Sequence, residues 1–309
     1  MPGPRLSHRP RRHLRDMTTS DQIHCSVIVP VYEHWHLIPT LLGYLGAQSV
    51  SQQDFEVILV DNGSSRFDPP DHLAPNVRIE QCEKPGSYAA RNHGVQCARG
   101  HWLVFTDADC QPHTDWLARL VGSASEPIAP TTLRAGAVEM RAASDRPNAY
   151  EMYDLVKGIP QEWYVSRGYA ATASLAIPAP LFGALGGFDE SRFSGGDAEF
   201  CRRAVAEGTH LSYVPEAVVR HPTRDNWKDL AAKARRIKGA HLTTGPAHLR
   251  LRWTLRTMTP PIIALWRFMN SSHAPLKYRV TASAIQVRLW GAEIREAIRL
   301  AGSGVAERR

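Results

Sequence analysis

The chain has 309 residues, of which 43% are hydrophobic and 22% charged, with a net charge of +7; these are the proportions of a globular protein and exclude disordered and collagen-like classes. No apolar run approaches the roughly 18 residues of a membrane-spanning helix, the nearest being Pro260 to Trp266. The charge is divided, with +4 in residues 1–20, −10 in residues 21–219 and +13 in residues 220–309, so the last third points to a membrane surface or a phosphorylated substrate ahead of nucleic acid.

Residues 1–22 carry Arg5, Arg9, Arg11, Arg12 and Arg15 with no apolar stretch behind them, which predicts a disordered basic tail rather than a secretion signal. CSVIVPV from Cys25 is the first strand. Leu37, Ile38, Leu41, Leu42 and Leu45 then share one helical face, and EVILVD is a fully apolar strand ending on Asp61. A weak strand over Val77 to Gln81, a helix over Tyr88 to Ala98 and a strand HWLVFTD ending on Asp107 follow. Beyond Pro127 to Pro130 the pattern loosens, with a strand near Ala135 to Arg141 and a helix near Asn148 to Lys157. SGGDAEFCRRAVAEG reads as a helix opened by glycines and closed by Gly208, and AVVRH as a short strand ending on His221. A helix over Asn226 to His241 and two or three further basic, Trp-containing helices reach Ala301.

Alternating strands and helices of this kind make an α/β layer with a mostly parallel, Rossmann-like sheet, and ligands of such sheets bind beyond the carboxyl ends of the strands. Glu33, Asp61, Asp107 and Asp109 gather there. Two carboxylates at i and i+2 in an extended segment point to one side, so Asp107 and Asp109 suit a hard divalent cation shared with phosphates. Asp61 has two readings, a turn-capping acid before Asn62-Gly63 and an acceptor for a nucleobase ring N–H. Asp197 and Glu199 are either first-turn acids favoured by the helix dipole or, for Asp197, a general base. The five cysteines are widely spaced without a Cys-x-x-Cys pair, as in a reducing compartment.

Taken in order, SVIVPVYE, VILVDNGSS, GSYAARNHGVQCARGHWLVFTDAD and GALGGFDESRFSGGDAEFCRRAVAEG resemble the family 2 glycosyltransferases over roughly residues 24–222. The resemblance implies the A-type glycosyltransferase fold and transfer of a sugar, with inversion, from a nucleotide diphosphate sugar to a glycan, lipid-linked or small-molecule hydroxyl. It places Pro30, Tyr32 and Glu33 in the first nucleotide-contacting loop, where Glu33 stands for the usual Asn. It makes Asp61 the base-recognising acid, favouring UDP, and puts Arg91 and Asn92 along the nucleotide and diphosphate. Asp107 and Asp109 then hold ribose and Mg2+ or Mn2+, His221 is a candidate third metal ligand, and Asp197 is the base. The common Glu-Asp pair is Gly196-Asp197 here, so a second carboxylate comes from Glu199 or is absent. The Gln-x-x-Arg-Trp signature of processive synthases is missing, which favours transfer of one sugar per encounter.

Three units are expected: the tail 1–22, a nucleotide-sugar-binding catalytic domain 23–224, and a basic helical appendage 225–309. In the appendage, Trp253, Trp266, Phe268 and Trp290 among arginines either pack with solvated cationic faces or lie on an anionic membrane with the aromatic residues inward. The expected location is cytoplasmic, peripheral on the inner face of the membrane. Two rival readings are a nucleotidyltransferase acting on sugar phosphates and a non-catalytic membrane or nucleic-acid binder. The first would need a Gly-rich triphosphate loop where VPVYEHWH stands, and the second has no need for four separate acidic positions.

Overall fold

The computed structural model describes residues 23–122 and 131–302. The expected basic tail and the segment Pro127 to Pro130 lie outside the described residues. In chain order the elements are β1 (Cys25–Val31), α1 (Ile38–Gly46), β2 (Phe55–Asp61), β3 (Val77–Gln81), α2 (Ser87–Cys97), β4 (Trp102–Phe105), β5 (Gln111–Pro112) and α3 (Trp116–Val121). They continue with β6 (Thr132–Arg141), α4 (Ala149–Lys157), α5 (Gln161–Val165), β7 (Leu175–Pro178), α6 (Ala179–Ala184), α7 (Gly196–Ala206) and β8 (His210–Pro222). Four helices close the chain: α8 (Trp227–Thr243), α9 (Ala247–Met258), α10 (Ile262–Met269) and α11 (Leu276–Ala301).

One sheet runs in the order β3-β2-β1-β4-β7-β6-β8-β5. β3, β2, β1 and β4 are mutually parallel, β7 runs against β4 and β6, and β8 returns parallel to β6. The central strands are apolar on both faces because helices cover both. Val27, Val29 and Val31 pack under α1 and α3, while Ile28, Ile58 and Val60 face α2, α6 and α7. That two-sided burial makes CSVIVPV and EVILVD read as continuous apolar runs rather than alternating ones. Buried Glu56 ties the strand edge together by accepting from Ser26 Oγ at 2.6 Å, the Arg99 backbone N–H at 2.7 Å and the Arg78 guanidinium. These bonds outweigh the effect of burial and hold its carboxyl below the usual range.

β5, α3, α5, β7 and α6 escaped the sequence reading. LAIP forms β7, which pairs antiparallel with β4 from Trp102↔Pro178 to Phe105↔Leu175, and the next six residues form α6. The strand before Asp107 also ends earlier than expected, at Phe105, and Asp107 to Asp109 lie in a turn closed by Cys110 N–H on the Asp107 carbonyl at 3.1 Å. The two carboxylates therefore converge through a turn rather than by alternation along an extended segment. The cysteines at 25, 82, 97, 110 and 201 are all free thiols.

The basic helices join the body along a third cluster, in which Tyr153 of α4, Leu230 and Ala234 of α8, Phe268 of α10, and Ala282, Ile285 and Leu289 of α11 meet. α8 thus belongs both to this cluster and, through Lys233, Arg236, Ile237 and His241, to the cleft described next.

Candidate active site

A cleft of about 480 Å³ opens at the carboxyl ends of β1, β2 and β4, lined there by Pro30, Tyr32, Asn62 and Asp107. Ligand oxygen, nitrogen and sulfur atoms of Asp107, Asp109, Cys110 and His221 lie within 4.8 Å of one another. His221 Nδ1 sits 2.8 Å from the Pro222 carbonyl oxygen, which only accepts, so Nδ1 carries the ring proton. In the neutral tautomer that this bond selects, Nε2 carries the lone pair, and it faces Asp109 Oδ1 at 3.6 Å. A carboxylate and an imidazole lone pair opposed in this way are a donor set for a cation. Burial, followed by the nearby Asp107 and Asp109 charges, pushes the Cys110 thiol well up, and a hard divalent cation prefers the carboxylate oxygens to sulfur. The remaining O,O,N set fits Mg2+ or Mn2+.

Asp107 is also held by Arg91, whose guanidinium donates to Oδ1 at 2.6 Å and is itself almost fully buried. Opposing cations come from the end of β8 and from α8: Arg224, Lys233 and Arg236 line the same cleft. Burial, then the neighbouring Arg224 charge, pulls Lys233 down to about 7 and lowers Arg236. His241 falls to about 4 through burial and then Lys238. The Nε atoms of Arg91 and Arg236 and Nδ1 of His241 are buried without a hydrogen-bond partner among the described residues. Desolvated cations with unspent donors are stabilised by an anion that supplies several oxygens at once.

Asp197 occupies the first turn of α7, entered through Gly195 in the left-handed conformation at φ 75°. Its Oδ1 accepts from Tyr88 Oη at 3.0 Å and its Oδ2 from the Thr172 backbone N–H at 3.3 Å. Burial and then the Asp197 charge push the Tyr88 phenol upward, so Tyr88 stays a donor. Gly196 stands against the Tyr88 ring, where a Cβ would lie 2.8 Å from the ring carbons. A glutamate before Asp197 has no room here, and the tyrosine hydroxyl holds the aspartate in its stead. Nearby, Tyr164 and Tyr169 stack with centroids 4.8 Å apart and give the cleft an aromatic wall.

Of the residues singled out in the sequence, Pro30, Tyr32, Arg91, Asp107, Asp109, Asp197 and His221 line the cleft. Glu33, Asp61, Asn92 and Glu199 do not, and each makes contacts with the protein itself. Glu33, at a φ of 60°, accepts from Ser65 N–H at 2.7 Å and Ser65 Oγ at 3.0 Å. Asp61 Oδ1 accepts from Trp35 Nε1 at 2.9 Å, and Oδ2 from the Gly63 and Ser64 N–H groups at 3.1 and 3.3 Å; the turn-capping reading describes this geometry. Asn92 exchanges hydrogen bonds with the Phe188 backbone and with Glu190. Glu199 binds Arg203, which in turn holds the Leu185 and Gly187 carbonyls. The cationic wall of α8 escaped the sequence reading, although Lys233, Arg236, Ile237 and His241 recur at helical spacing and so share one face.

The model for "Glycosyl transferase family 2" matches residues 26–140. Glycosyltransferase AglE of Haloferax volcanii is 32% identical over 209 residues, covering 64% of this chain and 67% of that protein. A pre-mycofactocin glycosyltransferase of Mycobacterium tuberculosis is 28% identical over 193 residues, and there the match spans only 41% of the relative's length. Among solved structures, the mannosyltransferase PcManGT of Pyrobaculum calidifontis, in complex with GDP-Man and Mn2+, has the same fold, with a TM-score of 0.56 at 17% identity over 91% of this chain and 88% of that one. GalNAc-T7 with UDP, GalNAc and Mn2+ aligns with a TM-score of 0.52 at 18% identity over 91% of this chain and 58% of that chain.

Proposed function

The chain belongs to the family 2 glycosyltransferases, and from that premise we propose that it is an inverting, non-processive enzyme moving one sugar from a nucleoside diphosphate sugar to an acceptor hydroxyl. Membership in an enzyme family removes the nucleotidyltransferase and the non-catalytic readings. What carries the proposal is the convergence in one cleft of an O,O,N donor set, a wall of half-buried cations and an aspartate held by a tyrosine.

The nucleoside fits between Pro30, Tyr32 and Asn62 at the strand ends. Its diphosphate then lies between Arg91 on one side and Lys233 and Arg236 on the other, where the unpartnered guanidinium Nε atoms would find oxygens. Asp107, Asp109 and His221 would hold Mg2+ or Mn2+, which when bound offsets the negative charge on the departing diphosphate. The aromatic wall of Tyr164 and Tyr169 suits the apolar face of an acceptor sugar. In the displacement the acceptor oxygen bonds to the anomeric carbon as the bond from that carbon to the phosphate oxygen breaks, and the hydroxyl proton passes to Asp197. A carboxylate placed against the acceptor hydroxyl takes that proton as the displacement proceeds.

Nucleotide recognition is tested by thermal shift with UDP-sugars, GDP-mannose and the free diphosphates, with and without Mn2+. A ligand at a hundred times its Kd stabilises the folded state by about 2.7 kcal/mol, a rise of several degrees in Tm that depends on Mn2+. No stabilisation by any of these compounds would sink the proposal. A second expected result concerns the base. Glu199→Gln keeps transfer within a fewfold of wild type and lowers stability by about 0.5 kcal/mol, the scale of a helix-surface ion pair. A loss of transfer comparable to that of an Asp197 variant would instead move the base to Glu199.

A further inference from the structure

The helices α9 and α10, joined by Thr259-Pro260-Pro261, turn Thr257 and Phe268 toward the body. Their outer faces carry Leu251, Leu255 and Met258, then Ile262, Ile263, Trp266 and Met269, all exposed. Ile262, Ile263 and Trp266 are 67%, 69% and 67% exposed, values at which a large apolar side chain is solvated almost as in an open peptide. Contiguous exposure of this kind marks a surface that something covers. The chain's own charge says what. From residue 245 to residue 292 there is no Asp or Glu, while Arg250, Arg252, Arg256, Arg267, Lys277, Arg279 and Arg288 all fall there. A second copy of so one-signed a face would repel it, and nucleic acid offers no sink for two isoleucines and a tryptophan.

We propose that the α9–α10 face docks flat on an anionic lipid bilayer, with Leu255, Ile262, Ile263 and Trp266 in the acyl boundary and the arginines among head groups. Apolar side chains beside a cationic rim are the composition of an interfacial helix, and no helix among the described residues is long and apolar enough to cross a membrane. The sequence suggested aromatic insertion in general, but the structure divides the labour. Trp253 stacks on His241, Phe268 is buried against Tyr153, and Trp290 Nε1 donates to the Thr257 carbonyl at 2.8 Å. Of the four, only Trp266 is left for the bilayer. The face also adjoins the cleft. Arg267 of α10 lies over the Trp163 ring at 4.7 Å, and Trp163 packs edge-on against Tyr164 and Tyr169 of the aromatic wall.

The test is flotation of the full chain with phosphatidylcholine vesicles, with and without phosphatidylglycerol, at low and high salt. Wild type is expected to float with the anionic vesicles at low salt and to be released as salt rises. Ile262→Glu with Ile263→Glu should lower the bound fraction by about tenfold, and Arg250→Gln with Arg252→Gln should weaken binding and flatten its salt dependence. Because these positions are exposed, the thermal midpoint and nucleotide-induced stabilisation should match wild type, which separates lost docking from lost folding. The proposal is overturned if wild type ignores anionic vesicles at low salt, or if the double glutamate variant floats equally well. It is also overturned if size-exclusion chromatography finds a dimer that the same variant dissociates.

Discussion

Asp197→Asn is expected to keep nucleotide binding and to lose transfer by about two to four orders of magnitude, the contribution of a positioned general base, or about 3 to 5 kcal/mol of barrier. The asparagine Oδ1 can still accept from Tyr88 Oη, now 3.0 Å from the aspartate, and the entry through Gly195 is untouched, so Tm should stay within a few degrees. What the amide lacks is a basic oxygen for the acceptor proton. Single-turnover transfer measured beside nucleotide binding separates the two effects. Turnover within a fewfold of wild type would reduce Asp197 to a helix-start acid.

The second large effect is expected at the cation site. Asp109→Ala removes the oxygen that faces His221 Nε2 at 3.6 Å and leaves Asp107 shared with Arg91. Disturbing only the groups behind a metal ligand costs 10- to 100-fold in affinity as a rule, so loss of a ligand itself should cost about 100-fold or more. Titration of Mn2+ by electron paramagnetic resonance, with UDP present, reads this directly and does not depend on turnover. Asp109 sits in a turn rather than in the core, so folding should be preserved. If Mn2+ binds the variant as it binds wild type, Asp109 is not a ligand.

The parts of this molecule legible in its sequence are those whose cause is local. Apolar strands covered on both faces announce themselves as runs such as EVILVD, and the apolar run before Asp107 and Asp109 marks the cleft mouth, although its strand ends at Phe105 rather than on Asp107. The turn over Asp61 was one of two readings the sequence left open, and its contacts with the Gly63 and Ser64 N–H groups follow that one. What could not be read depends on partners far along the chain. Asn92 looked like a cleft residue, yet its amide is spent on the loop at Phe188, 96 positions away. Glu33 likewise clamps Ser65, 32 positions on. The basic run of α8 was not placed at the cleft because nothing in it states that Lys233 would face Arg224 and the strand ends. Short β7 was missed because four residues, however apolar, carry too little periodicity to identify.

Tyr88 and Gly196 together also constrain how this site can evolve. The ring occupies the volume that any side chain at 196 would need, and its hydroxyl makes one of the bonds that hold Asp197. A lineage carrying this pair cannot acquire an acid at 196 while the ring stands, and it cannot shed the ring without first losing a tether on Asp197. Either order passes through an intermediate worse than both ends, so the two positions are expected to change together or not at all. A glutamate at 196 would thus call for a matching change at Tyr88, 108 residues upstream at the start of α2.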